Sequence, residues 1–210
     1  MMETSRNIDG LRIVGGDPAL DFVNTEDGDP RVECLRGYGD LAAWSVRVGL
    51  LSVGESEYLA SEADRRPEDA ETVYRDALRL RGALYGVFRA VAEGEDAPEG
   101  GLETLRRYER EALSRGKLVQ GDGGFAWEWQ DGLDLARMLW PVAHAATGLL
   151  TSGDLDRLKL CAGCYWLFLD ASKNHSRRWC TMEVCGRDEK VRRYVAKRAA
   201  RRASQPRGDA

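Results

Sequence analysis

Apolar residues recur at spacings of three and four through much of the first 150 positions, the period of a helix with one buried face. In YGDLAAWSVRVGLLS the apolar set is Leu41, Trp44, Val48 and Leu51, with Asp40 available as N-cap. EDAETVYRDALRLRGALYGVFRAVAEGE repeats the pattern through Val73, Ala77, Leu80, Leu84, Val87, Phe88 and Val91, with Pro67 before its start and Gly94 near its stop. GLETLRRYEREALSRG predicts a third helix. Its Arg106, Arg107, Arg110 and Arg115 alternate with Glu103, Glu109 and Glu111 as a solvated face.

The period then changes to two. KLVQ and FAWEWQ flank the turn sequence GDGG, and Phe125, Trp127 and Trp129 alternate with Ala126, Glu128 and Gln130. This predicts a β-hairpin with one aromatic face. No basic residues lie between the rings, so the stripe suits a core face better than a platform for nucleic-acid bases. LDLARMLWPVAHAATGLLTS returns to helical spacing, kinked or restarted at Pro141, with His144 as a core histidine. TSGDLDRLKLC offers Ser152 or Asp154 as a further N-cap.

Near the N-terminus, RIVGGDPALDFVNTEDGDP places Asp21, Asn24 and Thr25 within an apolar segment after a Gly-Gly-Asp-Pro turn. Polar groups among apolar ones require hydrogen-bond partners if buried. Two readings follow. In the default, the three residues form a structural network; in the other, they line a pocket for a small-molecule ligand.

Charge divides the chain. Residues 173–210 hold 12 Lys and Arg against 4 Asp and Glu, while residues 1–172 hold 19 against 31. An acidic body therefore carries a basic tail, a pattern suited to meeting a polyanion. The N-terminus lacks the plan of a signal peptide, and no apolar run approaches the length of a membrane span. A reducing, cytoplasmic location is the expectation, and cysteines there serve metals or catalysis more often than disulfides.

Four of the five cysteines follow the order Cys161-x2-Cys164, fifteen residues, Cys180-x4-Cys185. Two close pairs joined by a short loop are what a tetrahedral zinc site requires. A redox centre needs only one such pair. A four-cysteine iron–sulfur centre satisfies the same spacing. Four thiolates close the coordination sphere, so one structural zinc is expected at Cys161, Cys164, Cys180 and Cys185, with no open position for catalysis. YWLFLDASKNHSRRW between the pairs suits a hairpin, His175 is a turn residue and Cys34 is a small core residue. A unit this small depends on the metal for much of its folding energy.

After the last cysteine, GRDEKVRRYVAKRAARRAS predicts a helix with Asp188 and Glu189 at its positive end. Val191, Tyr194, Val195 and Ala199 form an apolar stripe. Lys190, Arg193, Lys197 and Arg201 repeat along another face, joined by Arg192, Arg198 and Arg202, with Arg177 and Arg178 upstream. Beside a zinc module these cations favour phosphate contact.

WLFLDASKNHSRRWCTMEVCG followed by a basic helix resembles the CGNR zinc-finger family of bacteria, and GGDPALDFVNT resembles the opening of the ABATE domain that precedes that finger. The resemblance implies a stress-related transcription regulator with a zinc-bound, DNA-binding finger, its ligands falling on the same four cysteines. After Cys185-Gly186 the chain carries Arg187-Asp188 where the family name has Asn-Arg.

The expected architecture is therefore α+β. Residues 1–155 form a mainly helical body with a β-hairpin, residues 156–203 a zinc finger of hairpin and basic helix, and residues 204–210 a disordered tail. The expected function is regulation through DNA, with Arg177, Arg178, Lys190, Arg192, Arg193, Lys197, Arg198 and Arg201 on phosphates. The body binds an effector, through Asp21, Asn24 and Thr25 in the ligand reading, or a second copy of the chain. An RNA- or protein-binding adaptor is the alternative. An enzyme is the third reading, disfavoured because no P-loop, GxSxG, HExxH or nucleophile–base pair is recognisable.

Overall fold

The computed structural model of the 210-residue chain describes residues 8–27, 32–121, 123–129, 134–151 and 155–203, the side chains of 199–203 excepted. The turn at Gly15 and Gly16 leads into α1 (Pro18–Val23). Asp17 caps it by accepting from Ala19 N at 2.8 Å, and Pro18 sits where no amide hydrogen is needed. The apolar run seen in the sequence is thus a buried helix, with Ala19, Leu20 and Phe22 fully covered. A two-residue antiparallel pair, β1 (Glu26–Asp27) and β2 (Val32–Glu33), follows it.

Helix α2 (Tyr38–Arg47) buries Leu41 and Trp44 as their spacing predicts, but Asp40 does not cap it. Gly37 occupies the cap. Asp40 lies in the first turn and accepts from Arg36 N at 2.9 Å and Arg36 Nε at 2.8 Å. The helix also ends earlier than the periodicity suggests, because Gly49 turns the chain at φ 76°. Leu51 is buried from the turn instead.

Helix α3 (Val53–Arg65) escapes the apolar pattern because only Leu59 and Ala63 among its apolar residues are buried. Its start is set by polar chemistry. Ser52 Oγ accepts from Glu55 N, and Glu55 accepts from Ser52 N at 2.7 Å, a reciprocal capping box. Replacing Ser52 by Ala is expected to lower stability by about 1 kcal/mol, measurable by urea unfolding.

Helix α4 (Pro67–Glu93) begins on Pro67 and ends at Gly94 in the left-handed conformation, as the punctuation predicts. α5 (Glu99–Arg115) packs against it and against α6 (Leu139–Thr151). Pro141 lies in the first turn of α6, where its missing amide disturbs nothing, so it starts the helix without kinking it. Ser152 and Asp154 lie outside the described residues.

β3 (Gly116–Gly121) and β4 (Gly124–Trp129) form the expected hairpin, pairing Leu118 with Trp127 and Gln120 with Phe125. Its aromatic face is only half covered, which corrects the expectation of a core stripe. Trp127 and Trp129 flank His144 at 5.1 and 5.6 Å, while Phe125 is 69% exposed. The covered end of the face is the one that meets α6 through His144, and Phe125, next to the turn, is left in solvent. His144 is half-buried and stands 2.9 Å from Glu109, so that glutamate turns inward from the face assigned to solvent.

Beyond α6 the chain makes a 3-10 turn (Leu155–Arg157) and then β5 (Leu158–Leu160), paired antiparallel with β6 (Leu167–Leu169). A π turn (Met182–Gly186) runs into α7 (Arg187–Ala203). One continuous core joins α1, α2, α4 and α6 to Leu158, Trp166, Leu167, Phe168, Cys161, Cys180 and Cys185. Cys34 belongs to the same core. The fold is α+β and mainly helical. Among the described residues no helix is long and apolar enough to cross a membrane.

Candidate metal centre and basic helix

The first cysteine pair occupies the turn of a hairpin. β5 delivers Cys161 and β6 leaves shortly after Cys164, with Cys161 N donating to Trp166 O at 2.9 Å. The hairpin therefore lies around the first pair, where the sequence suggested one between the pairs. The return from Asp170 to Trp179 is irregular because a buried carboxylate folds it. Asp170 accepts from Ser172 N at 2.9 Å and Arg177 N at 2.8 Å. Burial works to raise its pKa, and these hydrogen bonds outweigh that, holding the carboxyl below its ordinary range. His175 turns the loop at φ 47° and stands 3.0 Å from Asp156, so the turn reading holds for it.

All four sulfurs lie within 4.8 Å of one another. Cys164–Cys180 is 3.7 Å, Cys180–Cys185 3.6 Å and Cys164–Cys185 3.7 Å. Sulfurs on a tetrahedron with Zn–S bonds of about 2.3 Å stand about 3.8 Å apart, close to these separations and far beyond a disulfide bond. All five cysteines are free thiols. Gly163 lets the second pair approach, since a Cβ there would stand 3.0 Å from Cys185 Cβ.

The surroundings concentrate negative charge on one sulfur, that of Cys161. Cys161 Sγ accepts from Gly163 N at 3.4 Å and Cys180 N at 3.3 Å. Hydrogen bonds from the Cys164 and Cys180 thiols, with those amides, drive the Cys161 pKa far down. The same contact with Cys161 raises Cys164 strongly and pushes Cys180 up to about 12. Four thiolates so close need a cation to coexist, and a divalent metal displaces the remaining protons. The four cysteines can hold one zinc ion, and the sphere they form is closed.

Arg12, Asp170 and Gly163 also support the cysteine cluster. Asp170 at the end of an apolar run carried a signal of the kind seen at Asp21; Arg12 carried none. Arg12 donates to Thr181 Oγ1 at 3.1 Å and lies 4.6 Å from the Trp166 ring, tying the N-terminal segment to the second cysteine pair.

Asp21, Asn24 and Thr25 also bond within the chain. Asp21 Oδ1 accepts from Val14 N at 2.9 Å and Gly15 N at 2.7 Å, and burial raises its pKa above the ordinary value despite them. Asn24 faces the finger. Its amide donates to Leu167 O at 2.8 Å and accepts from Leu167 N at 2.9 Å, replacing a neighbouring strand. Gly15 O continues that edge by accepting from Leu169 N at 2.8 Å. Thr25 Oγ1 donates to Phe22 O and accepts from Arg81, which is paired with Glu33. Each of the three side chains thus makes hydrogen bonds within the chain.

The basic residues separate into two groups. Arg177 points inward, donating to Cys180 O and Trp179 O with its guanidinium 4.9 Å from the Phe168 ring. Arg178 is exposed above Trp179. On α7 every side chain from Val191 to Arg198 is exposed. Arg192 and Arg193 share Glu189, at 3.1 and 2.9 Å. Among the described residues Lys190, Lys197 and Arg198 have no ion pair. The side chain of Arg201 lies outside the described set. Arg187 begins the helix 3.7 Å from Asp188, and Gly186 N closes the preceding turn onto Thr181 O at 3.1 Å. The backbone thus closes the turn just before Arg187-Asp188, which open α7.

A closed four-cysteine cluster feeding an exposed basic helix, mounted on a helical body, defines a zinc-finger protein. Residues 16–153 match the ABATE family, described as "putative stress-induced transcription regulator", and residues 157–198 match the CGNR zinc finger. The chain belongs to the ABATE family and carries the CGNR finger at its C-terminal end. These descriptions are of a regulator and a zinc finger, not of an enzyme. No curated protein matches the chain.

Proposed function

We propose that the chain regulates transcription by binding duplex DNA through its finger. In this reading residues 156–203 are the DNA-binding unit, with Cys161, Cys164, Cys180 and Cys185 holding a structural zinc. Residues 1–155 bind an effector or a second copy of the chain. The observation that carries the reading is α7, which a single residue separates from the last cysteine and which exposes its cations from Lys190 to Arg198 to solvent. Lys190, Lys197 and Arg198 are the foremost phosphate contacts, with Arg178, Arg192, Arg193 and Arg201 beside them. Arg177 serves the same end indirectly by holding the loop between the cysteine pairs.

The test is anisotropy of a labelled duplex titrated with the zinc-loaded chain at several salt concentrations, against single-stranded RNA. Binding should weaken with salt by a log–log slope of roughly −0.9 per phosphate contacted. Lys190→Gln with Lys197→Gln should reduce that slope by about two units. Equal affinity for RNA, or a slope unchanged by the substitutions, would sink the reading.

The exposed stripe of Val191, Tyr194 and Val195, at 55%, 65% and 58% exposure, supports a second reading as a protein adaptor. That reading gains if duplex binding is absent and Tyr194→Ser abolishes capture of a partner.

A further inference from the structure

Helix α7 is open on every side over part of its length. Each side chain from Val191 to Arg198 is exposed, so no described part of the body or finger covers the helix there. A helix with its side chains is about 10–12 Å across, and the major groove of duplex DNA is about 12 Å wide. The open stretch extends about 12 Å, the length of roughly three to four base pairs.

One side of this stretch differs from the rest in its charge. On a helix surface the neighbours of a residue stand three and four positions away. Those of Tyr194 are Lys190, Val191, Lys197 and Arg198. Among the described residues Lys190, Lys197 and Arg198 have no ion pair, whereas Arg192 and Arg193 are held by Glu189 on the far side of the helix from Tyr194. Tyr194, 65% exposed, is therefore ringed by free cations, with Val191 at 55% beside it. An apolar protein groove that covered Tyr194 would bury three unpaired cations with it, at a large desolvation cost. The major groove does the reverse. It sets phosphates on both walls, where cations gain, and base edges on its floor, where the apolar group is the thymine methyl.

We propose that Tyr194 and Val191 read a thymine methyl in the major groove, while Lys190, Lys197 and Arg198 hold the phosphates on either side. The proposal rests on the reading of α7 as a duplex-binding helix. It gives that helix a base preference, which phosphate contacts alone do not supply.

The experiment compares an A·T duplex with the same duplex carrying deoxyuridine for every thymidine, each titrated with the zinc-loaded full chain. The two differ only in the C5 methyl groups, so charge and base pairing are held constant. The thymidine duplex should bind roughly fourfold more tightly, the worth of one buried methyl. Tyr194→Ser combined with Val191→Ser should abolish that preference and leave the salt slope unchanged. Both positions are exposed, so folding is not at stake. Lys190→Gln should do the opposite, lowering the slope by about one and keeping the preference. Equal binding of the two duplexes by the wild-type chain, or a preference that survives loss of both side chains, overturns the proposal and leaves the DNA reading standing. Binding to neither duplex overturns both.

Discussion

Stripping the metal with a chelator is expected to loosen residues 170–203 while the helical body stays folded. Elemental analysis of the untreated protein should give one zinc per chain, and Cys161→Ser should lower it to a small fraction. The reason is the cluster itself. Four sulfurs within 4.8 Å of one another, three of them in buried residues, cannot all be anionic without a cation. Structural zinc contributes about 10–16 kcal/mol in isolated finger peptides at neutral pH. The effect here should be smaller and local, because Trp166, Leu167 and Phe168 are buried in the body's core independently of the metal. Limited trypsin digestion reads it directly. Cleavage after Lys173, Arg177 and Arg178 should accelerate on chelation and be reversed by added zinc. Iron in place of zinc, or a digestion pattern indifferent to the chelator, contradicts this account. Because metal uptake releases thiol protons, zinc should also be lost more readily as pH falls.

The second large effect is expected at Asn24. Its side chain answers both backbone groups of Leu167, at 2.8 and 2.9 Å, in a site with 1% exposure. Asn24→Ala leaves an N–H and a C=O buried without partners, at about 1–3 kcal/mol each. The loss of about 2–6 kcal/mol corresponds to a fall in Tm of roughly 4–24 °C for a chain of this size. Asn24→Asp discriminates the cause. It retains an acceptor for Leu167 N but sets an oxygen against Leu167 O, so it should also destabilise. Zinc stoichiometry should remain one per chain in both variants, since no ligand is touched. A wild-type Tm in Asn24→Ala would show that the amide pairing carries no weight.

What the sequence made legible was whatever depends on spacing. The cysteine pairs announce their chemistry because ligand geometry is local on each side. The long α4 announces itself because Leu80, Leu84, Val87 and Phe88 must share one face. α3 did not, since its start depends on the Ser52–Glu55 exchange more than on an apolar stripe. The placement of the finger hairpin was missed for a different reason. Leu167 to Leu169 read equally well as a strand pairing forwards or backwards, and only the buried Asp170 shows that the following loop must turn on itself. The inward turn of Arg177 was equally invisible, because its partners are backbone carbonyls of its own loop. Tertiary partners more than a hundred positions apart, such as Asn24 with Leu167, leave no periodicity to read.

One residue, Gly186, separates the last cysteine from the first residue of α7. The ligand is therefore also a fulcrum. A helix of 17 residues extends about 25 Å, so a tilt of about 10° at Cys185 swings its far end by roughly 4 Å. With no slack between metal and arm, small changes in how the hairpin sits on the body become large changes in where the cations point.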